Sequence, residues 1–166
     1  MTNRNADWIG RRSFTITLAG ALAAGLAGCA DDDDGDGNGD DGDENGGGEY
    51  VEDEPEYDDW FDDVDTYEGT LDMTGEEEVT VMNGAGETGM RFDPPAILVD
   101  AGTTVVWEWT GEGGSHDVTH ADGEFQSDTQ DGEGETFEHT FEDDGIHRYY
   151  CTPHQANGQK GAVVVQ

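Results

Sequence analysis

Short apolar segments, separated by clusters of Gly and Asp, make up the chain from residue 76 onward. In residues 104–109 and 136–141, apolar and polar side chains alternate, which places each kind on its own face of an extended strand. The segments are rich in Val, Thr and aromatic residues, and no helical period is present. The pattern predicts an all-β domain over residues 76–166, a Greek-key sandwich or barrel of about seven to eight strands. The predicted strands are residues 79–82, 90–92, 96–99, 103–110, 116–120, 135–141, 145–151 and 161–166.

Residues 29–75 have a different composition, dominated by Asp, Glu and Gly. Such a segment buries too little apolar surface to offset its conformational entropy, and its like charges repel one another. We therefore predict a disordered, extended acidic spacer ahead of the folded domain. Several aromatic residues punctuate it, and we interpret them as sparse hydrophobes rather than as a docking motif: Tyr50, Tyr57, Trp60, Phe61 and Tyr67.

The first 28 residues resemble an export signal. Arg11-Arg12, followed by Ser and Phe, resembles a twin-arginine motif, and the apolar run 16–28 is too short for a membrane-spanning helix. The run ends in Leu26-Ala27-Gly28-Cys29, which resembles the cleavage box of a lipoprotein signal peptide. We predict a signal peptide over residues 1–28 and a lipidated Cys29 that anchors the exported chain to the outer face of the cell membrane. The alternative is an ordinary signal peptide with an incidental Cys.

The charge balance limits the classes of molecule that the protein can bind. The chain has 41 Asp+Glu and 6 Lys+Arg, and its formal net charge is −35. Nucleic-acid binding is excluded, since it requires Lys and Arg to neutralise phosphates. In ordinary salt this charge would strain a small fold, whereas at molar salt the Debye length is about 3 Å and most repulsion is screened. The composition indicates a halophilic protein; the alternative is an acidic tail that inflates the total.

The two cysteines, Cys29 and Cys151, lie in contexts so different that we predict no disulfide between them. Cys151 ends an apolar strand, and His154 follows in a Pro-containing loop, so one tight turn presents a thiolate and an imidazole. A trigonal site of two His and one Cys with a weak axial ligand is typical of copper in electron transfer. Zinc binds the same donor atoms, so these residues alone do not decide between copper and zinc.

A second imidazole has to come from another part of the fold, and His116 is available. His120 cannot bind the same ion as His116, because positions four apart on a strand are separated by about 13 Å, at roughly 3.3 Å per residue. We interpret His120, His139 and His147 as surface or core histidines.

Together these motifs resemble the cupredoxins, the plastocyanin-like blue copper proteins, and among them the halocyanin group of haloarchaea. The resemblance covers the chain from about residue 78 to its end and implies a cupredoxin fold with one type 1 copper ion. It also implies that His116, Cys151 and His154 are the copper ligands. The segments that carry it are residues 91–95, 101–109, 114–116, 122–125 and 149–154.

Two positions depart from the family pattern. Gln159 stands where the family has an axial Met, and Lys160 and Gly161 continue the expected register. Gln is an attested axial ligand, and its harder amide oxygen favours Cu(II), so we predict ligation by Gln159 and a lowered reduction potential. The alternative is that Gln159 points away. Asp117 replaces the usual Asn, and it either lowers the potential further or is one more surface acid.

The resemblance implies a membrane-tethered carrier of single electrons rather than an enzyme, since copper enzymes with such domains need further copper sites. The expected partners are redox proteins, such as membrane respiratory complexes or oxidases, and the membrane itself through the lipid anchor. A monomer is expected. The alternative function is copper storage or delivery without electron transfer.

Overall fold

The computed structural model describes residues 48–166. The predicted signal peptide, Cys29 and the first part of the predicted spacer lie outside the described residues. Within residues 48–166, no helix has the length and apolar character to cross a membrane. This part of the chain forms strands and one short 3-10 helix, Gln155–Asn157. The strands are β1 (Leu71–Asp72), β2 (Glu78–Ala85), β3 (Arg91–Asp93), β4 (Ala96–Val99), β5 (Thr104–Trp109), β6 (Thr119–His120), β7 (Thr136–Thr140), β8 (Gly145–Tyr150) and β9 (Lys160–Val165).

The strands form two sheets, with the orders β1-β4-β9-β8-β6 and β3-β2-β5-β7. Parallel pairs (β1 with β4, β4 with β9, β2 with β5) occur beside antiparallel ones. The all-β prediction is confirmed, and each of the eight predicted segments overlaps an observed strand. In the segment 116–120 the observed strand is much shorter than predicted. His116 pairs with Gln130 only through an isolated bridge, and β6 begins at Thr119.

The core lies between the two sheets and is largely aromatic. Alternate residues of β5, namely Val105, Trp107 and Trp109, are fully buried, as their period of two requires. Trp107 packs edge-to-face against Tyr149 of β8, with ring centroids 5.1 Å apart. Because truncation of such buried aromatic residues costs about 3–5 kcal/mol, the strand ends around this core provide rigid supports for a site.

The prediction of a disordered spacer is wrong for residues 48–75. Residues 57–67, which we call the strap, pack against β4 and β9 through Tyr57, Phe61 and Val64, whose exposures are 5%, 8% and 5%. Phe61 stacks on Tyr67 at 4.1 Å between ring centroids. The folded part of the chain therefore begins well before residue 76.

Charge pairing offsets part of the repulsion among the acidic residues of the strap. Within residues 48–166 the basic side chains are Arg91, Arg148 and Lys160, and each contacts an aspartate of the strap. The pairs are Arg91 with Asp65 at 2.5 Å, Arg148 with Asp58 at 3.2 Å and Lys160 with Asp63 at 2.6 Å. The acidic composition of the strap did not indicate these contacts, because the basic residues that pair with its aspartates lie far away in the sequence.

Candidate metal centre

His116, Cys151 and His154 converge at one end of the sandwich, as the sequence predicts. The Cys151 Sγ lies 3.6 Å from the Nδ1 of His116 and 3.5 Å from the Nδ1 of His154, and the two nitrogens are 3.1 Å apart. Cys151 and His116 are fully buried, whereas His154 is half-buried.

The loop after β8 positions Cys151 and His154 through its own backbone. The N–H of Cys151 donates to the Gln159 carbonyl at 3.0 Å, and the N–H of His154 donates to the Cys151 carbonyl at 3.1 Å. The short helix Gln155–Asn157 then ends at Gly158, whose φ of 86° is left-handed. A Cβ at Gly158 would also overlap the carbonyl oxygen of Asp63. The strap therefore packs directly against residues 151–159, which we call the ligand loop.

His116 is held from several sides. Its backbone N–H donates to the Gln130 carbonyl at 2.8 Å, and the Trp109 indole donates to the His116 carbonyl at 3.2 Å. Its ring Nε2 lies 2.8 Å from the Glu112 carbonyl oxygen, which can only accept. The neutral ring therefore carries its proton on Nε2, and its Nδ1 lone pair faces Cys151 and His154.

Gln159 does not point away from this group. Its side chain is fully buried, its Nε2 donates to Asn83 Oδ1 at 2.8 Å, and its Oε1 lies 2.9 Å from His116 Nδ1. The amide oxygen, two imidazole nitrogens and a sulfur thus face one another at short range. Such a set of electron-pair donors is poorly stable without a cation between them, and it fits a soft or borderline metal ion.

The electrostatics of the buried thiol agree with this interpretation. Burial raises the pKa of the Cys151 thiol to about 11, although the backbone N–H groups of Asp117 and His154 act in the opposite direction. Burial is also the main reason why the pKa of His154 is lowered, with His116 second. The metal-free site therefore favours a neutral thiol and a neutral imidazole, and a bound cation would be needed to hold the thiolate.

Asp117 is not a surface acid. It is 4% exposed, and its Oδ1 accepts the backbone N–H of Thr152 at 2.6 Å. The bond ties the loop of His116 to the loop of Cys151. Sequence reasoning missed Asn83 and Glu112, because neither lies in a motif: one is on β2, and the other contributes only a backbone carbonyl.

The remaining histidines lie elsewhere, as expected. His120 and His147 form a separate group with Glu124, and His139 packs against Phe125 with ring centroids 4.5 Å apart.

Several known proteins are similar to this chain in sequence or in fold. Residues 79–166, more than half of the chain, match the model of the copper binding proteins of the plastocyanin/azurin family. Halocyanin from Natronomonas pharaonis is 56% identical over 104 residues, which are 60% of this chain and 64% of that protein, so the chain spans less than two thirds of this relative. Plastocyanin from Scenedesmus fuscus is 31% identical over 99 residues, which are 54% of this chain and 100% of that one. Among solved structures, a purple cupredoxin from Nitrosopumilus maritimus has 26% identity and a TM-score of 0.43, covering 52% of this chain and 98% of its own.

Proposed function

Because the chain belongs to the plastocyanin/azurin family of copper-binding proteins, we propose that it is a one-electron carrier with copper bound by His116, Cys151 and His154. The observation that carries the proposal is the convergence of one thiol and two imidazole nitrogens, all within 3.6 Å of a neighbour in the group. Copper bound there supplies a Cu(II)/Cu(I) couple.

The protein's part is to keep the donor atoms still. His116 and Cys151 are fixed by backbone bonds at the ends of buried segments, and the Asp117–Thr152 bond at 2.6 Å joins their loops. A set of ligands locked in this way needs little movement when the charge at the site changes. The rigidity supports electron transfer over catalysis.

His154 is the ligand through which electrons would enter and leave. It is the most exposed of the three, and Pro153 and Ala156 beside it are exposed as well. We infer that a redox protein docks over this small, weakly polar surface. In concentrated salt the Debye length is only a few ångströms, so contact with these residues outweighs charge steering in partner choice.

Gln159 is proposed as the axial ligand, since its amide oxygen lies 2.9 Å from His116 Nδ1 and its amide nitrogen is bonded to Asn83. An amide oxygen is a harder donor than the thioether it replaces and stabilises the oxidised ion. The buried carboxylate of Asp117 acts in the same direction, because negative charge favours the more positive ion. Both residues give the carrier a low reduction potential.

The same proposal places the protein in the exported fraction, with lipidated Cys29 in the outer leaflet and redox proteins of the membrane as partners. A single acyl chain binds weakly, so stable tethering requires a second lipid or a second contact. Mass spectrometry of the native protein tests this part: an unmodified Cys29 or an intact residue 1 contradicts it.

Addition of Cu(II) to the purified protein is the decisive experiment. We expect one equivalent to be taken up with an intense visible charge-transfer band, lost in Cys151→Ser and kept in Cys29→Ser, the matched control at the other cysteine. A colourless copper-loaded protein would refute the blue copper site. Reversible voltammetry and slow loss of copper to a chelator support a carrier, whereas rapid chelator exchange without reversible voltammetry indicates delivery.

A further inference from the structure

The three histidines that do not belong to the copper site gather at one place, although they come from three strands. In the β6–β8 register His120 lies opposite Tyr149, and His147 lies two residues before Tyr149 on the same face of β8. The turn after β6 returns Glu124 to the same place. One ligand atom from each of His120, Glu124 and His147 lies within 4.8 Å of the others, and His139 lines the open pocket beside them.

The distances within this group suit a metal ion. Glu124 Oε2 lies 3.5 Å from His120 Nε2 and 3.1 Å from His147 Nδ1. Ligands held at about 2.0–2.1 Å from one tetrahedral ion are separated by about 3.4 Å. The side-chain exposures of His120, His147 and Glu124 are 4%, 12% and 50%, so the site is built on a buried imidazole and opens toward solvent at the carboxylate.

His120 provides an independent indication. Its Nε2 is buried and has no hydrogen-bond partner, and its geometry toward Glu124 is too poor for a hydrogen bond despite the 3.5 Å approach. Burial lowers the pKa of His120, which keeps the ring neutral as a metal ligand must be. A buried polar nitrogen without a partner costs about 1–3 kcal/mol, and a cation at this position would remove that cost.

His147 has the environment of a metal ligand. Its Nε2 donates to the Asp143 carbonyl at 2.9 Å, so Nδ1, which lies 3.1 Å from Glu124 Oε2, is the nitrogen left for that carboxylate or for an ion between them. Metal-bound histidines commonly donate their other N–H to a carbonyl or carboxylate in this way.

We propose that His120 Nε2, Glu124 Oε2 and His147 Nδ1 form a second metal site, selective for divalent ions of borderline softness such as Zn²⁺. Two imidazoles and one carboxylate, with a coordination position left to solvent, are an established ligand set for zinc. Magnesium and calcium prefer all-oxygen sites and are poorly suited to it.

Metal binding requires one proton to move. The N–H groups of Asp122 and Glu124 donate to His120 Nδ1 at 3.3 Å each, so the metal-free neutral ring carries its proton on Nε2. On metal binding the Nε2 lone pair goes to the ion and the ring proton transfers through solvent to Nδ1, with no net release. These two bonds are longer than the usual range of about 2.7–3.2 Å, but losing them reduces the net binding energy, because the new Nδ1–H faces two amide donors and all three N–H groups then need water as acceptor.

Zinc titration followed by calorimetry tests the proposal, in molar KCl so that weak binding to surface acids is screened. The background is Cys151→Ala, which removes the thiol of the copper site, so the result does not depend on the proposed carrier function. We expect one equivalent of Zn²⁺ to bind, with affinity lowered at least about tenfold by Glu124→Gln or His147→Gln. Glu138→Gln is the control, since Glu138 is exposed on β7 and its variant makes the same charge change. Equal affinities in all variants, or displacement of zinc by Mg²⁺, would overturn the site.

Nitrogen-15 NMR of the imidazoles gives a second test, because it reports which ring nitrogen of His120 carries the proton without replacing the residue. Without metal, His120 should show the Nε2–H tautomer, and stoichiometric Zn²⁺ should convert it to Nδ1–H. Retention of the Nε2–H tautomer at saturating zinc would refute ligation by His120. If His147 is only ion-paired with Glu124, zinc will leave the spectra of both rings unaffected, and the proposal fails.

Discussion

Phe61→Ala tests whether the strap is part of the fold. Phe61 is 8% exposed and packs between Tyr57, at 4.9 Å and 86°, and Tyr67, at 4.1 Å and 1°. Burial of such a side chain stabilises by about 1.5–3 kcal/mol, and each aromatic pair adds about 0.5–1.5 kcal/mol. Because the strap lies at the domain surface and can relax, we expect a loss of about 3 kcal/mol, at the low end for buried Phe→Ala changes.

Chemical denaturation of the copper-free protein in constant salt measures this loss, with tryptophan fluorescence as the probe. Tyr50→Ala is the matched control, because Tyr50 belongs to the same acidic segment but is 51% exposed. We expect the control to cost less than about 1 kcal/mol, as is usual for surface positions. If Phe61→Ala and Tyr50→Ala have the same small effect, the strap does not contribute to stability and residues 57–67 behave as a spacer.

The other predictions concern the ligand loop and the charge. Gln159→Met should raise the reduction potential in voltammetry while Gln155→Met, on the exposed side of the same loop, should not; an unchanged or lower potential refutes axial ligation. Asp117→Asn should raise the potential while Thr152 keeps its acceptor, and an unchanged potential would exclude a role for the carboxylate. Gly158→Ala should cost at least about 1–2 kcal/mol by denaturation and broaden the copper spectrum, because φ is 86° there; an unaltered midpoint contradicts this. The melting temperature of the copper-free protein should rise from moderate to molar KCl, since a net charge of −35 is screened, and a fall would argue against brine adaptation.

Short-range signals in the sequence were sufficient to predict the strands and the pairing of Cys151 with His154. His116 lies 35 residues before Cys151, and its place among the ligands was implied by the family resemblance. The period of two in β5 sets which residues are buried, and the spacing of Cys151 and His154 lets a single turn present both. The order of strands in the two sheets had no such signal, since it depends on pairing between distant segments such as β2 with β5.

The strap shows why its composition led to a wrong prediction of disorder, although local patterns predicted the strands correctly. Its acids repel one another in an isolated chain, and nothing within residues 57–67 neutralises them. In the fold, Trp60 lies under two cations, with Lys160 Nζ 5.4 Å and the Arg148 guanidinium 5.9 Å from the ring, and its indole donates to the Gly161 carbonyl at 3.1 Å. A composition average cannot represent charges that are balanced by residues about 90 positions away, such as Asp58 by Arg148.

All three basic side chains of residues 48–166 contact the strap, and some of these contacts also reach the ligand loop. Arg91 contacts Asp65 and also donates to the Asn157 carbonyl at 2.8 Å, and Asp63 contacts both Lys160 and the backbone at Gly158. The strap is therefore linked to the chain on either side of Gln159, at residues 157–158 and at Lys160. Since the aromatic contacts of the strap do not depend on salt, while its ion pairs weaken as salt is added, the ligand loop keeps its support in brine mainly through Tyr57, Phe61 and Trp60. The strap thus contributes to the rigidity that the proposed electron carrier requires.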